Sequence, residues 1–536
     1  MPPQGGSAQG GSAPLADTIG RLVFAAAEMY GDTEALVDGS FRVTFGELRW
    51  HVQDTAASFV AAGLQRGDRV AIWAPNSAEW VVAALGASAA GGVLVPLNTR
   101  FKGGEAADIL LRSGAIVLLC EPGFLGNDYV GMLRDNGVAL PELRQIVVLR
   151  GDAAPGTMSW QQFRDLGDVH SENEALQRID GGSPLDLSDV IFTSGTTGRP
   201  KGVMCTHLQT LRVFQAWSEI VGLTHGDRYL IVNPFFHTFG YKAGFLACLL
   251  RGATIVPEPV FDVPTVLRRV AAERITMLPG PPTMFLSILD EPNRDQYDLS
   301  SLRLAVTGAA AVPVEMIRRM REELTFRAIV TGYGLTESTG AITMCRPEDD
   351  PETIATTSGR AIPDIEVRVI DVDGKEVPRG KPGEIVCRGY NVMQGYFRDE
   401  QATAEAIDRQ GWLHTGDIGV MDDRGYLAIT DRMKDMFIVG GFNAYPAEIE
   451  NALLGHPAIA QAAVIGVPDE RMGEVGHAFV VARAASAVDP AEVIEWARER
   501  MANFKLPRVV HVLDALPTNA SGKVQKFVLR EIAREG

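Results

Sequence analysis

From about residue 15 to 260 the chain alternates short β-branched runs with amphipathic segments. Asp68-Arg69-Val70-Ala71-Ile72-Trp73, Ala115-Ile116-Val117-Leu118-Leu119 and Gln145-Ile146-Val147-Val148-Leu149 are examples. Strand-then-helix alternation predicts parallel sheets covered by helices on both faces, an α/β architecture. The pattern continues through strands at Ile275–Pro279 and Leu302–Val306. The longest apolar stretch, Trp80 to Leu97, is interrupted at Gly91-Gly92 and predicts a helix, a turn and a strand. A membrane span would need about 20 strongly apolar residues. Beyond about residue 355 strands and turns come closer together, as in Glu366–Asp371 before the Asp373-Gly374 turn, which suits antiparallel strands or a small barrel-like subdomain. After Asp431-Arg432-Met433-Lys434 the pattern restarts. A helix over Pro446–Leu454, strands at Ala462–Gly466 and His477–Val481, a helix across Pro490–Met501 and a basic C-terminal helix predict a compact α+β unit.

Composition narrows the picture. The first residues after Met1 are Gly, Ser, Pro, Gln and Ala, so 1–14 reads as a flexible tail and not as a signal peptide. At 536 residues and 46% apolar content the chain can bury a large core and divide into two or more domains. Its 50 basic and 67 acidic side chains give a net charge of −17, which argues against a nucleic-acid surface. The five cysteines are scattered and never in Cys-x-x-Cys spacing, which predicts neither disulfides nor zinc and suits a reducing, cytoplasmic setting.

The candidate chemistry centres on Thr193-Ser194-Gly195-Thr196-Thr197-Gly198-Arg199-Pro200-Lys201-Gly202. Its glycines permit a tight turn with converging backbone N–H groups, and its hydroxyls and Lys201 add donors for anionic oxygens. The spacing is not that of a Walker A loop, because the lysine comes three residues after Gly198. Four more segments join it. Gly332-Tyr333-Gly334-Leu335-Thr336-Glu337 offers an aromatic face, a hydroxyl and a carboxylate suited to an adenine, a phosphate oxygen and a metal ion. Thr415-Gly416-Asp417 places a carboxylate after a turn, where it could accept from ribose hydroxyls, and Arg432 follows at the next strand end. Ser521-Gly522-Lys523 carries a late lysine on a glycine turn. Singly, Asp417 or Arg432 also fits a solvated turn or an ion pair.

In this order the segments resemble the adenylate-forming (ANL) superfamily of acyl-CoA synthetases, 4-coumarate–CoA ligases, luciferases and adenylation domains, over nearly the whole chain. The resemblance implies a 15–433 N-terminal adenylation domain and a mobile 434–536 C-terminal domain with its hinge at Lys434. It implies ATP, Mg²⁺ and coenzyme A as cofactor and co-substrates. Thr193, Ser194, Gly195, Thr196, Thr197, Gly198 and Lys201 would cradle the β- and γ-phosphates, and Glu337 with Thr197 would hold Mg²⁺. Thr336 would contact the α-phosphate. Gly308, Ala309, Ala310, Gly332, Tyr333 and Gly334 would surround the adenine, and Asp417 with Arg432 the ribose. Lys523 would bridge the acid carboxylate and the α-phosphate. Gly440 and Gly441 would line a pantetheine tunnel after the small domain rotates. His237 resembles the segment at the acyl-carboxylate end, and a satisfied core histidine is the alternative. One departure is Lys526, where many members carry arginine; the charge is kept.

The absence of a following carrier domain favours a free-standing acyl-CoA ligase over a fatty acyl-AMP ligase that loads a carrier protein, or an inactive binder. Tyr241–Gly244, Val306–Gly308 and Gly340–Ile342 are expected to line the acid pocket. There Lys242 either pairs with a carbonyl or snorkels to the surface. Arg471, Arg500, Lys505 and Arg508 are expected to form a basic patch for CoA. The chain is similar to actinobacterial steroid-catabolic synthetases that activate the propionate side chain of a bicyclic indane-dione. The expected partners are therefore a small carboxylic acid, ATP and CoA, with a homodimer left open.

Overall fold

The computed structural model describes residues 14, 16–193, 199–308, 312–371, 373–432, 437–444, 446–483, 486–517, 524 and 526–535. An eight-stranded sheet organises the first third of the chain. Its core is parallel: Gln145–Val148, Ala115–Cys120, Arg69–Trp73, Val93–Pro96 and Leu187–Thr193 lie side by side. Lys201–Thr206 and Gly395–Tyr396 then extend the edge antiparallel. Buried side chains fill both faces of the central strands; Ala115–Cys120, for example, has no exposed position. The long apolar stretch becomes the helix Ala78–Ala89, capped where the Ser77 hydroxyl accepts the Trp80 N–H, and the strand Val93–Pro96. The helix is buried on nearly every side, as a sequence apolar all round requires. Among the described residues no helix is long and apolar enough to cross a membrane.

A second sheet is built in two halves. Arg228–Ile231, Thr254–Pro257, Glu34–Asp38 and Phe41–Thr44 form one; Leu304–Gly308, Ala328–Tyr333, Thr343–Met344 and Arg360–Ala361 form the other. The strand expected at Ile275–Pro279 is instead an irregular connector. Met277 bridges both halves, through Tyr229 and Leu304, and the Thr276 backbone bonds to Arg228 on one side and to Arg303 and Leu304 on the other. Pro279, Pro281 and Pro282 have no N–H to continue a ladder.

The segment after residue 355 folds into an antiparallel sheet of Ile365–Ile370, Pro382–Gly389, Leu413–Met421 and Leu427–Arg432, as its close turn spacing predicts. The C-terminal part is a separate α+β unit. Its strands Phe437–Val439, Phe442–Ala444, Ile459–Asp469, Gly473–Ala482 and Val509–Val512 pack with the helices Pro446–Leu454 and Pro490–Arg498 around a core of their own. All five cysteines are unpaired and buried.

The small unit docks on the large one through a buried lysine. Lys505 Nζ lies 2.5 Å from Glu105 of the large unit and 2.5 Å from Glu448 of its own, with 2% of its side chain exposed. The ammonium also stands 4.7 Å from the Phe101 ring centroid. Lys505 is therefore not part of an exposed basic patch: the two carboxylates satisfy it, whereas Arg471, Arg500 and Arg508 are exposed. Removing one partner from a buried ion pair costs about 3–5 kcal/mol, because the remaining charges are left uncompensated. Lys505→Met is therefore expected to release the small unit from this position. Small-angle scattering should show a larger radius of gyration, and an unchanged profile would mean that the contact does not hold the units together.

Candidate active site

The carboxyl ends of the parallel strands supply most of the candidate site, as open α/β sheets generally do. Leu187–Thr193 is buried along its length and emerges at Thr193. The register of its hairpin sets Thr193 opposite Lys201, so the two ends of the glycine-rich segment meet. Ser194 to Gly198 lie outside the described residues. Glu337 comes in from the other sheet. The turn Thr336–Ser338 carries it, held by the Ser338 hydroxyl, which accepts the Leu335 N–H, and by Thr339 in the left-handed region at φ 58°. The Met393 N–H donates to the Glu337 carbonyl. Its carboxylate accepts from the Tyr396 hydroxyl at 2.9 Å and lies 3.5 Å from the Thr193 hydroxyl. Lys201 Nζ stands 5.0 Å from the Tyr396 ring centroid.

Thr193, Lys201, Glu337 and Tyr396 thus share one location. Among the described residues no group of three or more His, Cys, Asp or Glu side chains could hold a metal ion. A lone carboxylate beside a glycine-rich segment nevertheless fits Mg²⁺, which keeps waters and takes phosphate oxygens as further ligands. Tyr396 was not legible in the sequence. It sits on a two-residue strand whose place depends on pairing with Lys201–Thr206, almost 200 residues earlier.

The adenine and ribose candidates also converge. Gly308 and Gly332 pair in register at the ends of parallel strands. A Cβ on Gly334 would stand 2.4 Å from the Gly340 carbonyl oxygen, so only glycine permits this close approach. The Tyr333 hydroxyl donates to Asp417 Oδ2 at 2.6 Å in a buried setting. Burial, and then the Asp417 charge, push the Tyr333 pKa well above its usual value, so the phenol remains a donor. Asp417 pairs with Arg432 across neighbouring strands. That settles the backbone placement of Arg432. Ala309, Ala310, Lys434 and Lys523 lie outside the described residues.

His237 faces open space and is not a core histidine. Its Nδ1 accepts the Phe239 N–H at 3.2 Å, which places the proton of the neutral ring on Nε2. The surrounding protein still desolvates the ring and lowers its pKa. A buried amide fixes the segment. Asn76 Nδ2 donates to the carbonyls of Ile231, Asn233 and Glu258, and its Oδ1 accepts the Phe235 N–H at 2.7 Å. Asn76 follows the strand Arg69–Trp73, at the end where parallel sheets place ligands; that position was the only sequence signal for it. Of the segments expected to line the acid pocket, Gly340–Ile342 meets the stretch just before Tyr241–Gly244, since a Cβ on Gly340 would stand 2.5 Å from Thr238. Lys242 neither snorkels nor pairs with a carbonyl. It is fully buried against Asp189.

The small unit reaches the same region. Gly440 and Gly441 adopt φ of 56° and 85°, and a Cβ on Gly441 would stand 3.7 Å from Pro281 of the large unit. Phe442 stacks on Phe504 and closes a cavity of about 50 Å³ with Asn76, Arg100, Pro234 and Phe236.

The comparisons with known proteins agree with this layout. The AMP-binding enzyme family matches residues 23–397, and its C-terminal domain matches residues 448–523. A Rhodococcus jostii (strain RHA1) protein named 3-[(3aS,4S,7aS)-7a-methyl-1,5-dioxo-octahydro-1H-inden-4-yl]propanoyl:CoA ligase is 54% identical over 94% of this chain and 97% of its own. A Mycobacterium tuberculosis (strain ATCC 25618 / H37Rv) protein of the same name is 52% identical over 94% of this chain and 96% of its own. Among solved structures, a double mutant of o-succinylbenzoate CoA synthetase from Bacillus subtilis, bound with the product analogue OSB-NCoA, matches with a TM-score of 0.79. It is 30% identical and covers 95% of this chain and 98% of its own.

Tyr333→Phe removes the phenol–carboxylate hydrogen bond to Asp417 without changing ring shape. Hydrogen bonds to charged groups contribute roughly 1.5–3 kcal/mol. The affinity for ATP is therefore expected to fall about tenfold or more in a calorimetric titration, and an unchanged affinity would separate Asp417 from nucleotide binding.

Proposed function

The chain belongs to the AMP-binding enzyme family and is an ATP-dependent acid–thiol ligase, and from that premise we propose that its acid is the propionate side chain of a bicyclic indane-dione. The observation that carries this reading is the identity of 52–54% to two ligases named for that acid, spread over 94% of the chain. In this reading the acid carboxylate attacks the α-phosphorus of ATP and pyrophosphate leaves. The thiol of CoA then attacks the acyl carbonyl, and AMP leaves with the bonding electron pair.

Each site residue has a role in this scheme. Thr193 to Lys201 hold the β- and γ-phosphates through hydroxyls, backbone N–H groups and the lysine charge. Thr336 meets the α-phosphate, Gly308 to Ala310 and Gly332 to Gly334 meet the adenine, and Asp417 with Arg432 meets the ribose. Glu337, with Thr197, holds Mg²⁺, which when bound neutralises charge on the phosphates. What supports this placement is the meeting of Thr193, Lys201 and Glu337 at one point and of Tyr333 and Asp417 at another. His237 presents Nε2–H to the carboxylate end of the acid. Lys523 offsets the repulsion between acid and α-phosphate in the first step. The division at Lys434, between 15–433 and 434–536, then lets the small domain exchange Lys523 for the Gly440–Phe442 loop. The position of that loop beside Pro234 and Phe236 supports a second step that uses CoA. A reducing cytoplasm suits five unpaired cysteines.

Two measurements test the reading. Thioester formation should be at least about tenfold more efficient in kcat/KM with an indane-dione propionate than with straight-chain fatty acids, since pockets discriminate shape by roughly 1–3 kcal/mol per misfit group. A preference for fatty acids would overturn the substrate, and AMP release to a phosphopantetheinyl carrier protein but not to CoA would overturn the acceptor. Lys523→Ala should slow acid-dependent pyrophosphate exchange roughly 100- to 1000-fold, yet leave thioester formation from supplied acyl-AMP largely intact. An equal loss in both steps would contradict the exchange of faces.

A further inference from the structure

One buried ion pair has no part in the roles above. Lys242 Nζ lies 2.9 Å from Asp189 Oδ1, and neither side chain has any exposed surface. Asp189 belongs to the strand that ends at Thr193 and stands opposite Cys205 in the hairpin register. Lys242 belongs to the π-helical turn Tyr241–Leu246, which follows His237 and is interrupted at Gly244 (φ −87°, ψ −105°). Such turns recur at functional sites.

The pair also has neighbours on both sides. Asp189 Oδ2 accepts the Ser188 hydroxyl at 2.6 Å. Cys205 Sγ lies 3.6 Å from the Thr339 hydroxyl oxygen, and that hydroxyl donates to the Asn391 carbonyl. Thr339 closes the turn that carries Glu337. A single buried polar chain therefore touches the strand leading to Thr193, the turn of Glu337 and the segment of His237.

Stability alone does not account for the pair. Two buried charges are expensive to desolvate, and apolar residues of similar volume are often as stable or more so. Among the described residues neither Nζ nor Oδ1 has a well-aligned hydrogen bond to offset that cost. Burial would by itself drive the Lys242 pKa down, but the facing Asp189 carboxylate and Cys205 outweigh it and raise the value, so the ammonium is retained.

We propose that Lys242 and Asp189 are positioning residues for adenylate formation: their attraction fixes the strand that ends at Thr193 against the segment that presents His237, and so holds triphosphate and acid in register. The inference rests on the ligase reading above and deepens it. Neither side chain touches a substrate.

The test separates positioning from mere stability. Lys242→Met alone leaves a buried uncompensated carboxylate and should melt at a lower temperature. The double variant D189L/K242M removes both charges and should recover a melting temperature near that of the unsubstituted protein. Its acid-dependent pyrophosphate exchange should nonetheless fall at least about tenfold, because small misplacements of reacting groups are costly. Thioester formation from supplied acyl-AMP should stay within about twofold. A double variant with both normal melting and normal exchange would overturn the proposal.

Should the double variant fail to fold, Lys242→Arg decides. It keeps the charge but not the reach of the ammonium, so a folded Lys242→Arg protein with undiminished exchange would also overturn the proposal. Calorimetric titration with ATP and Mg²⁺ is the arm independent of turnover, and there D189L/K242M, or Lys242→Arg in its place, is expected to bind several-fold more weakly. Absence of exchange in the unsubstituted protein with every acid would sink the ligase reading. The titration would still judge the pair, since equal affinities would remove its positioning role.

Discussion

Two anions must meet before anything else can happen in this enzyme, and the chain that brings them together is itself strongly acidic. A carboxylate approaching a triphosphate is repelled, and a net charge of −17 adds no long-range help. Local donors have to do what the overall field does not. The positive and polar groups of the site accordingly come from separate elements that converge: Lys201 on one strand, Thr193 on its neighbour, Tyr396 on a short third. Bringing donors from distant parts of the chain to one point requires rigid supports. The parallel strands, buried on both faces, provide them.

The same logic explains which parts were legible beforehand. The α/β alternation and the separate α+β unit that is in place from Phe437 rest on local patterns, and local patterns are what a sequence displays directly. The helix Pro446–Leu454 has the limits its amphipathic spacing predicts. Met277 shows where such reasoning stops, because prolines beside a β-branched run cut an apparent strand down to a short bridging stretch. The polar contacts within the interior were illegible for a different reason. Asn76 satisfies four backbone groups, and Lys505 and Lys242 find carboxylates, only once segments separated by tens to hundreds of residues are packed together. A lysine reads as a surface residue until its partner is known. Lys505 and Lys242 were both placed wrongly for that reason.

Family membership and geometry contribute different things. The family supplies the reaction, while the structure explains how particular side chains are held. Asn76, for example, bonds the backbone at Ile231, Asn233 and Phe235 ahead of His237 and at Glu258 on a neighbouring segment, so the ring is presented by a braced frame. Phe442 lines a small cavity with Pro234 and Phe236 of that same turn, where the small unit meets the large one.

The five buried cysteines have a chemical consequence for a protein whose co-substrate is a thiol. Burial pushes the thiols of Cys120 and Cys387 up to about 12 and raises those of Cys205, Cys248 and Cys345 as well. Disulfide exchange requires a thiolate with access to its target, and these side chains offer neither charge nor path. The enzyme can therefore handle coenzyme A, and meet its oxidised disulfide, without capturing either on its own sulfur. Its working state is thereby insulated from swings in the redox balance of the pool from which it draws.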